Sequence, residues 1–147
     1  MKDCIEVTIE IKTVEKALAE LGAGVSNRTT LMGTIAGTML SAVTQNFADG
    51  GRPVPWESPK KRTGTPLTDT GMLKNSITEM SDNDSAVVGT NLIYAAIHNF
   101  GGTIKRETSK GNKVEVEMPQ REFLILTEQD EADIMEDVQT YFQNLIK

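Results

Sequence analysis

This 147-residue sequence holds one cysteine and one histidine. Cys4 alone excludes an intramolecular disulfide, and with His98 it cannot build a Cys/His zinc cage, so a reducing compartment and no bound metal are expected. No run approaches the roughly 20 apolar residues of a membrane helix. The opening Met-Lys-Asp-Cys-Ile-Glu-Val-Thr lacks the basic-then-apolar order of a secretory signal, so the protein is expected neither to enter a membrane nor to be exported by itself. Positive charge is scarce: 15 Lys and Arg against 21 Asp and Glu give a net charge of -6, which removes the usual electrostatic basis for binding nucleic acid directly. There is no Gly-x-x-x-x-Gly-Lys-[Ser/Thr] phosphate loop, and Gly22-Ala23-Gly24 is only a fragment of a dinucleotide fingerprint. Nucleotide cofactors are therefore unsupported, and neither a cofactor nor a small-molecule substrate is expected.

What is present suffices for a folded core. Hydrophobic residues make up 38% and charged residues 24%, close to the globular average, and the length suits a single domain over residues 1–147. Ile5, Val7, Ile9 and Ile11 alternate with polar residues as a half-buried strand does. Thr13 then caps a short helix carrying Val14, Ala17, Leu18 and Leu21, so that residues 1–26 form an N-terminal strand and helix. From Thr29, Leu31, Met32, Ile35, Met39, Leu40, Val43 and Phe47 recur at helical spacing until Asp49-Gly50-Gly51. Gly33 and Gly37 inside this long central helix each cost up to about 1 kcal/mol relative to Ala, which signals either a close approach of another element or weak local stability.

Residues 50–71 hold Pro53, Pro55, Pro59 and Pro66 and read as a long irregular loop, made basic by Arg52, Lys60, Lys61 and Arg62. Leu73 to Met80 and Ser85 to Gly89 are expected to be two strands joined by a turn at Ser81-Asp82-Asn83-Asp84. Tyr94 to Gly102 suggests one or two helical turns closed by glycine. Ile104 and the alternating Val114, Val116 and Met118 flank a polar tip and read as a second hairpin. Thr127 caps an acidic, amphipathic C-terminal helix over residues 127–147, with Ile134, Met135, Val138, Tyr141, Phe142, Leu145 and Ile146 on its apolar stripe. The expected class is α+β, an antiparallel sheet of short strands and hairpins packed against the central and C-terminal helices.

Charge is unevenly placed: residues 127–147 carry six acids and one Lys, whereas residues 50–75 carry five basic residues and two acids. Two solvated faces would explain this in a monomer. In an oligomer, a basic loop meeting the acidic helix of a neighbour makes a head-to-tail contact that closes a ring.

Catalytic patterns are sparse. Asp69-Thr70-Gly71 is the tripeptide of aspartic-protease active sites, and Val87-Val88-Gly89 faintly echoes the supporting segment of the retroviral type. That chemistry needs two carboxylates sharing a proton, so a chain with one such Asp would have to dimerise. Met72 after the tripeptide and helical patterns at both ends speak against it, and turn residues preceding Leu73 are the simpler reading. Ser76 or Ser85 with His98 and Asp69 can be drawn as a triad, but no Gly-x-Ser-x-Gly elbow supports it. His98, beside Tyr94 and Phe100, reads as a hydrogen-bonding structural residue. Trp56, in a basic and proline-rich loop, either plugs the domain's own core or anchors a partner.

Taken in order, Phe47 with Gly50-Gly51, Pro55-Trp56, Leu67-Thr68-Asp69-Thr70-Gly71-Met72-Leu73, Ser76-Ile77, Val88-Gly89-Thr90, Tyr94-Ala95-Ala96-Ile97-His98-Asn99-Phe100-Gly101-Gly102 and Pro119-Gln120-Arg121-Glu122-Phe123-Leu124 resemble the phage virion morphogenesis proteins. These are tail-completion or head-tail-joining proteins of tailed phages and prophages, including Mu-like ones. The match spans roughly residues 40–126 and rests on the ordered series. Gln120 and Glu122 depart from the family's Pro-Ala-Arg-Pro-Phe-Leu, and Asn99 stands where many relatives have Gln. The resemblance implies a non-enzymatic component of the neck or tail end, made in the host bacterial cytoplasm and then built into the virion. Its partners would be further copies of itself in a ring and other tail or neck proteins. It assigns Arg52, Trp56, Lys60, Lys61 and Arg62 of the loop and Glu128, Asp130 and Glu131 of the helix to assembly contacts. Tyr94, His98, Phe100, Phe123 and Leu124 would knit sheet to helices, with Phe47, Leu67, Leu73, Pro119 and Arg121 as further structural residues. Gly71, Gly101 and Gly102 would allow tight turns. A dimeric aspartic protease using Asp69, or a small prophage-encoded regulatory module, remain as alternatives.

Overall fold

Leu31, Met32, Ile35, Met39, Val43 and Phe47 all fall on one side of a single helix, α1 (Thr29–Ala48), and all are buried. The structure, a computed structural model, describes residues 5–7 and 26–145. α1 ends where Gly50 and Gly51 take φ of 68° and 112°, conformations that L side chains rarely adopt. Asp49 N donates to the Gln45 carbonyl at 2.9 Å and Gly51 N to the Asn46 carbonyl at 2.8 Å, which satisfies the last turn.

Against α1 lies a three-stranded antiparallel sheet in the order β1-β3-β2, built from β1 (Ile5–Val7), β2 (Thr78–Ser81) and β3 (Ala86–Thr90). Val88 is fully buried and pairs with Val7 on one side and Glu79 on the other. The β2–β3 turn forms at Ser81 to Asp84 as expected. Asp82 Oδ1 accepts from Asp84 N at 2.8 Å, Ser85 N at 2.7 Å and Ser85 Oγ at 3.0 Å. Those bonds, the one from Asp84 N first, hold the Asp82 carboxyl below its ordinary range. The rest of the N-terminal strand and the helix expected from Thr13 lie outside the described residues.

One expectation is corrected. Leu73 to Ser76 is not strand but belongs to a one-turn helix, α2 (Met72–Ser76), and pairing begins only at Thr78. Gly71, at φ 77°, accepts from Asn75 N at 2.9 Å, and Ser76 Oγ donates to the Leu73 carbonyl at 2.6 Å. Met-Leu-Lys-Asn-Ser has no period-2 alternation, so the local hydrogen bonds and the burial of Leu73 decide the conformation.

Helix α3 (Ala95–Phe100) ends at Gly101 and leads into the hairpin of β4 (Gly102–Glu107) and β5 (Lys113–Met118), a separate two-stranded sheet. Ile104 pairs with Val116, yet every residue of β4 is exposed, so this hairpin stands out from the core. Helix α4 (Glu128–Leu145) starts with a reciprocal cap: Thr127 N donates to Asp130 Oδ2 at 2.8 Å and Asp130 N to Thr127 Oγ1 at 3.2 Å. It lays Ile134 and Val138 on α1, whereas Leu145 at the end of its stripe is exposed. The class is α+β, with the hairpins divided between two sheets.

Gly33 and Gly37 face the side chains of β2: a Cβ at Gly33 would lie 3.8 Å from Ser81 Oγ, and one at Gly37 would lie 3.7 Å from Glu79 Oε2. Another element does approach, but at a distance that leaves room for a methyl group. Gly33→Ala and Gly37→Ala should each raise the urea midpoint by the equivalent of about 0.5–1 kcal/mol, the helix-propensity difference.

Candidate functional site

Residues 119–127 connect β5 to α4 with no regular structure, yet Arg121, Phe123 and Leu124 are buried. Buried backbone outside a helix or sheet must find other partners. Two buried asparagines supply them. Asn46, on the apolar face of α1, donates from Nδ2 to the carbonyls of Phe123 at 2.8 Å and Ile125 at 3.0 Å. Asn99, on α3, accepts at Oδ1 from Phe123 N at 3.0 Å and Leu124 N at 3.1 Å. Arg121 N donates to the His98 carbonyl at 2.8 Å, so the motif around His98 and the motif around Phe123 form one unit. Gly101 closes it, since a Cβ there would meet Gln120 N at 2.9 Å.

The proline-rich loop is tied to the same unit. Trp56 packs edge-on to Phe47 with ring centroids 5.6 Å apart, and its Nε1 donates to the Glu122 carbonyl at 3.3 Å. Phe47 in turn meets Phe123 at 5.3 Å. Of the two roles open to Trp56, the structure therefore shows it against the protein's own core. Gly51 is needed beneath it, because any Cβ there would lie 2.7 Å from Trp56 N. Arg52 donates to Asn46 Oδ1 at 2.9 Å, to the Ala42 carbonyl at 2.8 Å and to Asp130 Oδ2 at 2.9 Å. The Arg52–Asp130 pair thus joins basic loop to acidic helix within one protomer, and neither charge is left free at the surface.

Other residues singled out by the sequence take different places. Lys60, Lys61, Glu128 and Glu131 are exposed, with Lys60 only 3.9 Å from Glu57. Arg62 is half-buried and donates to the Thr63 and Thr65 carbonyls. Leu67 packs on the core with φ 62°, the only described non-glycine residue with positive φ, and Pro119 is half-buried. Tyr94 and Phe100, at 41% and 58% exposure, do not knit sheet to helices as expected, because the short α3 turns them outward while Ala95 and Asn99 face in. His98 is half-buried, edge-on to Tyr94, and its Nδ1 is buried without a hydrogen-bond partner, contrary to the expected hydrogen-bonding role. Burial first, and then the nearby Arg121 charge, lowers its pKa below the ordinary 6.5.

Asp69 is largely exposed, 4.0 Å from Arg62 Nε. Thr70 Oγ1 accepts from Met72 N, so the Asp69-Thr70-Gly71 tripeptide starts α2, and the cavity beside it holds no second described carboxylate. A second acid would have to come from another copy. No group of three or more potential metal-ligating side chains occurs among the described residues, and no described helix is long and apolar enough to cross a membrane. Asn46 and Asn99 escaped the sequence reading, although a polar residue at a buried position of the α1 stripe, between Val43 and Phe47, is the signal that marks Asn46.

A family model described as the Phage virion morphogenesis family matches residues 9–143 of this chain. The Mu-like prophage FluMu G protein 2 of Haemophilus influenzae is 53% identical over 144 residues, covering 96% of this chain and 99% of that protein. The Putative capsid assembly protein G of Escherichia phage Mu is 32% identical over 113 residues, covering 67% of this chain and 72% of its own length. No solved structure matches.

Asn99→Ala would strand two buried backbone donors and should lower stability by about 2–3 kcal/mol in urea unfolding followed by circular dichroism. A second expectation concerns pH. The folded pKa of His98 lies below its unfolded value of 6.5, so the unfolded state takes up a proton first and stability falls as pH drops through that window. Urea midpoints compared between pH 7.5 and pH 5.5 should show this, and His98→Gln should flatten the dependence.

Proposed function

Because the chain belongs to the Phage virion morphogenesis family, we propose that it is a non-enzymatic virion assembly protein acting in tail completion or head-tail joining, through repeated protein-protein contacts around a ring. It works with other phage tail or neck proteins and ends in the virion. The observation that supports this best is where the shared motifs lie. Phe47, Trp56, Phe123 and Leu124 converge on one packed core with backbone and ring partners, and Arg121 ties the loop to it through the Glu57 carbonyl. The surface is left to do the work.

That surface has features of an assembly component. The β4–β5 hairpin exposes every residue of β4, and a two-stranded hairpin is only marginally stable in water unless a further layer covers it. Lys60 and Lys61 stand on the loop, and Glu128 and Glu131 on the first turn of α4, where their charge suits the helix dipole. With Arg52 and Asp130 paired internally, these four carry the remaining complementarity between loop and helix. Contacts of this kind are screened by salt.

Light scattering coupled to size exclusion, across concentration and ionic strength, tests this reading. The expected result is a discrete, salt-sensitive oligomer, formed alone or with tail and neck proteins. Lys60→Glu with Lys61→Glu should weaken it, and adding Glu128→Lys with Glu131→Lys should restore it. A protein that stays monomeric under all these conditions would contradict the proposal. A dimer whose peptide cleavage is lost in Asp69→Asn would favour the protease instead.

A further inference from the structure

The molecule holds two largely buried arginines whose situations differ. Arg52 has the Asp130 carboxylate at 2.9 Å. Arg121 is 7% exposed and has no carboxylate partner among the described residues. Its Nε donates to the Glu57 carbonyl at 2.8 Å and its Nη2 to the Ser58 carbonyl at 3.3 Å, while Nη1 has no acceptor among the described residues. Carbonyl oxygens satisfy donors without neutralising the charge, so an anion that reaches this guanidinium gains a charge-assisted hydrogen bond.

Arg121 borders a cavity of about 240 Å³, with Arg62 and His98 beside it and Leu67, Met72 and Leu73 among its apolar walls. Tyr94 also lines it. One acid, Asp69, stands on the rim at 4.0 Å from Arg62 Nε. Two guanidiniums stand against one carboxylate, and burial, with the Arg121 charge, disfavours a further positive charge on His98. His98 Nδ1 adds a buried polar atom with no partner.

We propose that this cavity is a receptor for one carboxylate group, carried by an acidic side chain of another polypeptide or by a small carboxylic acid, and bound against the free edge of the Arg121 guanidinium. The planar fork of Arg matches the geometry of a carboxylate. An excess of one guanidinium over carboxylate suits a monoanion, since Asp69 at the mouth repels a phosphate dianion about twice as strongly as a carboxylate. The leucine and methionine walls accommodate the carbon stem. The inference stands apart from the assembly reading and does not require it.

The only histidine of the chain is a built-in reporter. Acetate and glutarate, titrated into the full-length protein at constant ionic strength, should shift the His98 ring resonances saturably in NMR. They should also raise its titration midpoint, because a nearby negative charge favours the imidazolium. Arg62→Gln should weaken the effect several-fold. Two further arms identify the source. A midpoint that rises with protein concentration, and ceases to do so in Glu128→Gln/Glu131→Gln, locates the carboxylate on α4 of a second copy. A response to acetate without concentration dependence upholds the site and assigns its ligand to another molecule. No saturable shift with either acid, an undiminished effect in Arg62→Gln, or a stronger response to inorganic phosphate would overturn the proposal. An oligomer of normal mass whose His98 ignores both acids would remove the receptor and leave the assembly reading intact.

Discussion

The structure depends on supplying hydrogen-bond partners to a buried stretch of backbone that belongs to no helix or sheet. Arg121, Phe123 and Leu124 bury the middle of residues 119–127 beside α1 and α3, and an unpaired amide or carbonyl at those positions would carry its full desolvation penalty. Asn46 caps two carbonyls and Asn99 caps two amides, so a pair of side chains replaces a missing strand ladder. Because Phe123 can only be buried once its backbone is satisfied, the aromatic cluster with Phe47 and Trp56 follows from the same two residues.

That dependence explains the order of the motif series along the chain. Asn46 to Trp56, His98 with Asn99, and Arg121 to Leu124 are three stretches separated by tens of residues in sequence and adjacent in space. Each needs the others: Trp56 requires Gly51 beneath it, and Arg121 requires the loop carbonyls of Glu57 and Ser58. These residues thus maintain a scaffold, while the exposed loop tip, the β4 strand of the hairpin and Glu128 and Glu131 at the start of α4 face solvent. Gln120 and Glu122, between the buried members of the 119–127 segment, both keep surface exposure.

The arginines show the same principle with two outcomes. Arg52 is neutralised inside the protomer by Asp130, which also caps α4, so one carboxylate fixes both the loop and the start of the helix. Arg121 is held by carbonyls alone. Loop and terminal helix are therefore linked covalently by the chain and electrostatically by one buried pair, and the charges that face solvent are a separate set.

Periodicity and punctuation in the sequence were enough for α1, the turn at Asp82, the second hairpin, the start of α4 at Thr127 and the α+β class, because these follow from interactions within a few residues. The ordered motifs were enough for the family. Tertiary structure alone decided the rest. Leu73 to Ser76 became a helical turn, Tyr94 and Phe100 faced outward, and Arg52 met Asp130 across 78 residues of sequence. The physical reason is the same in each case: hydropathy along the chain records whether a residue is suited to burial, but which groups become partners depends on the interior that distant segments build together.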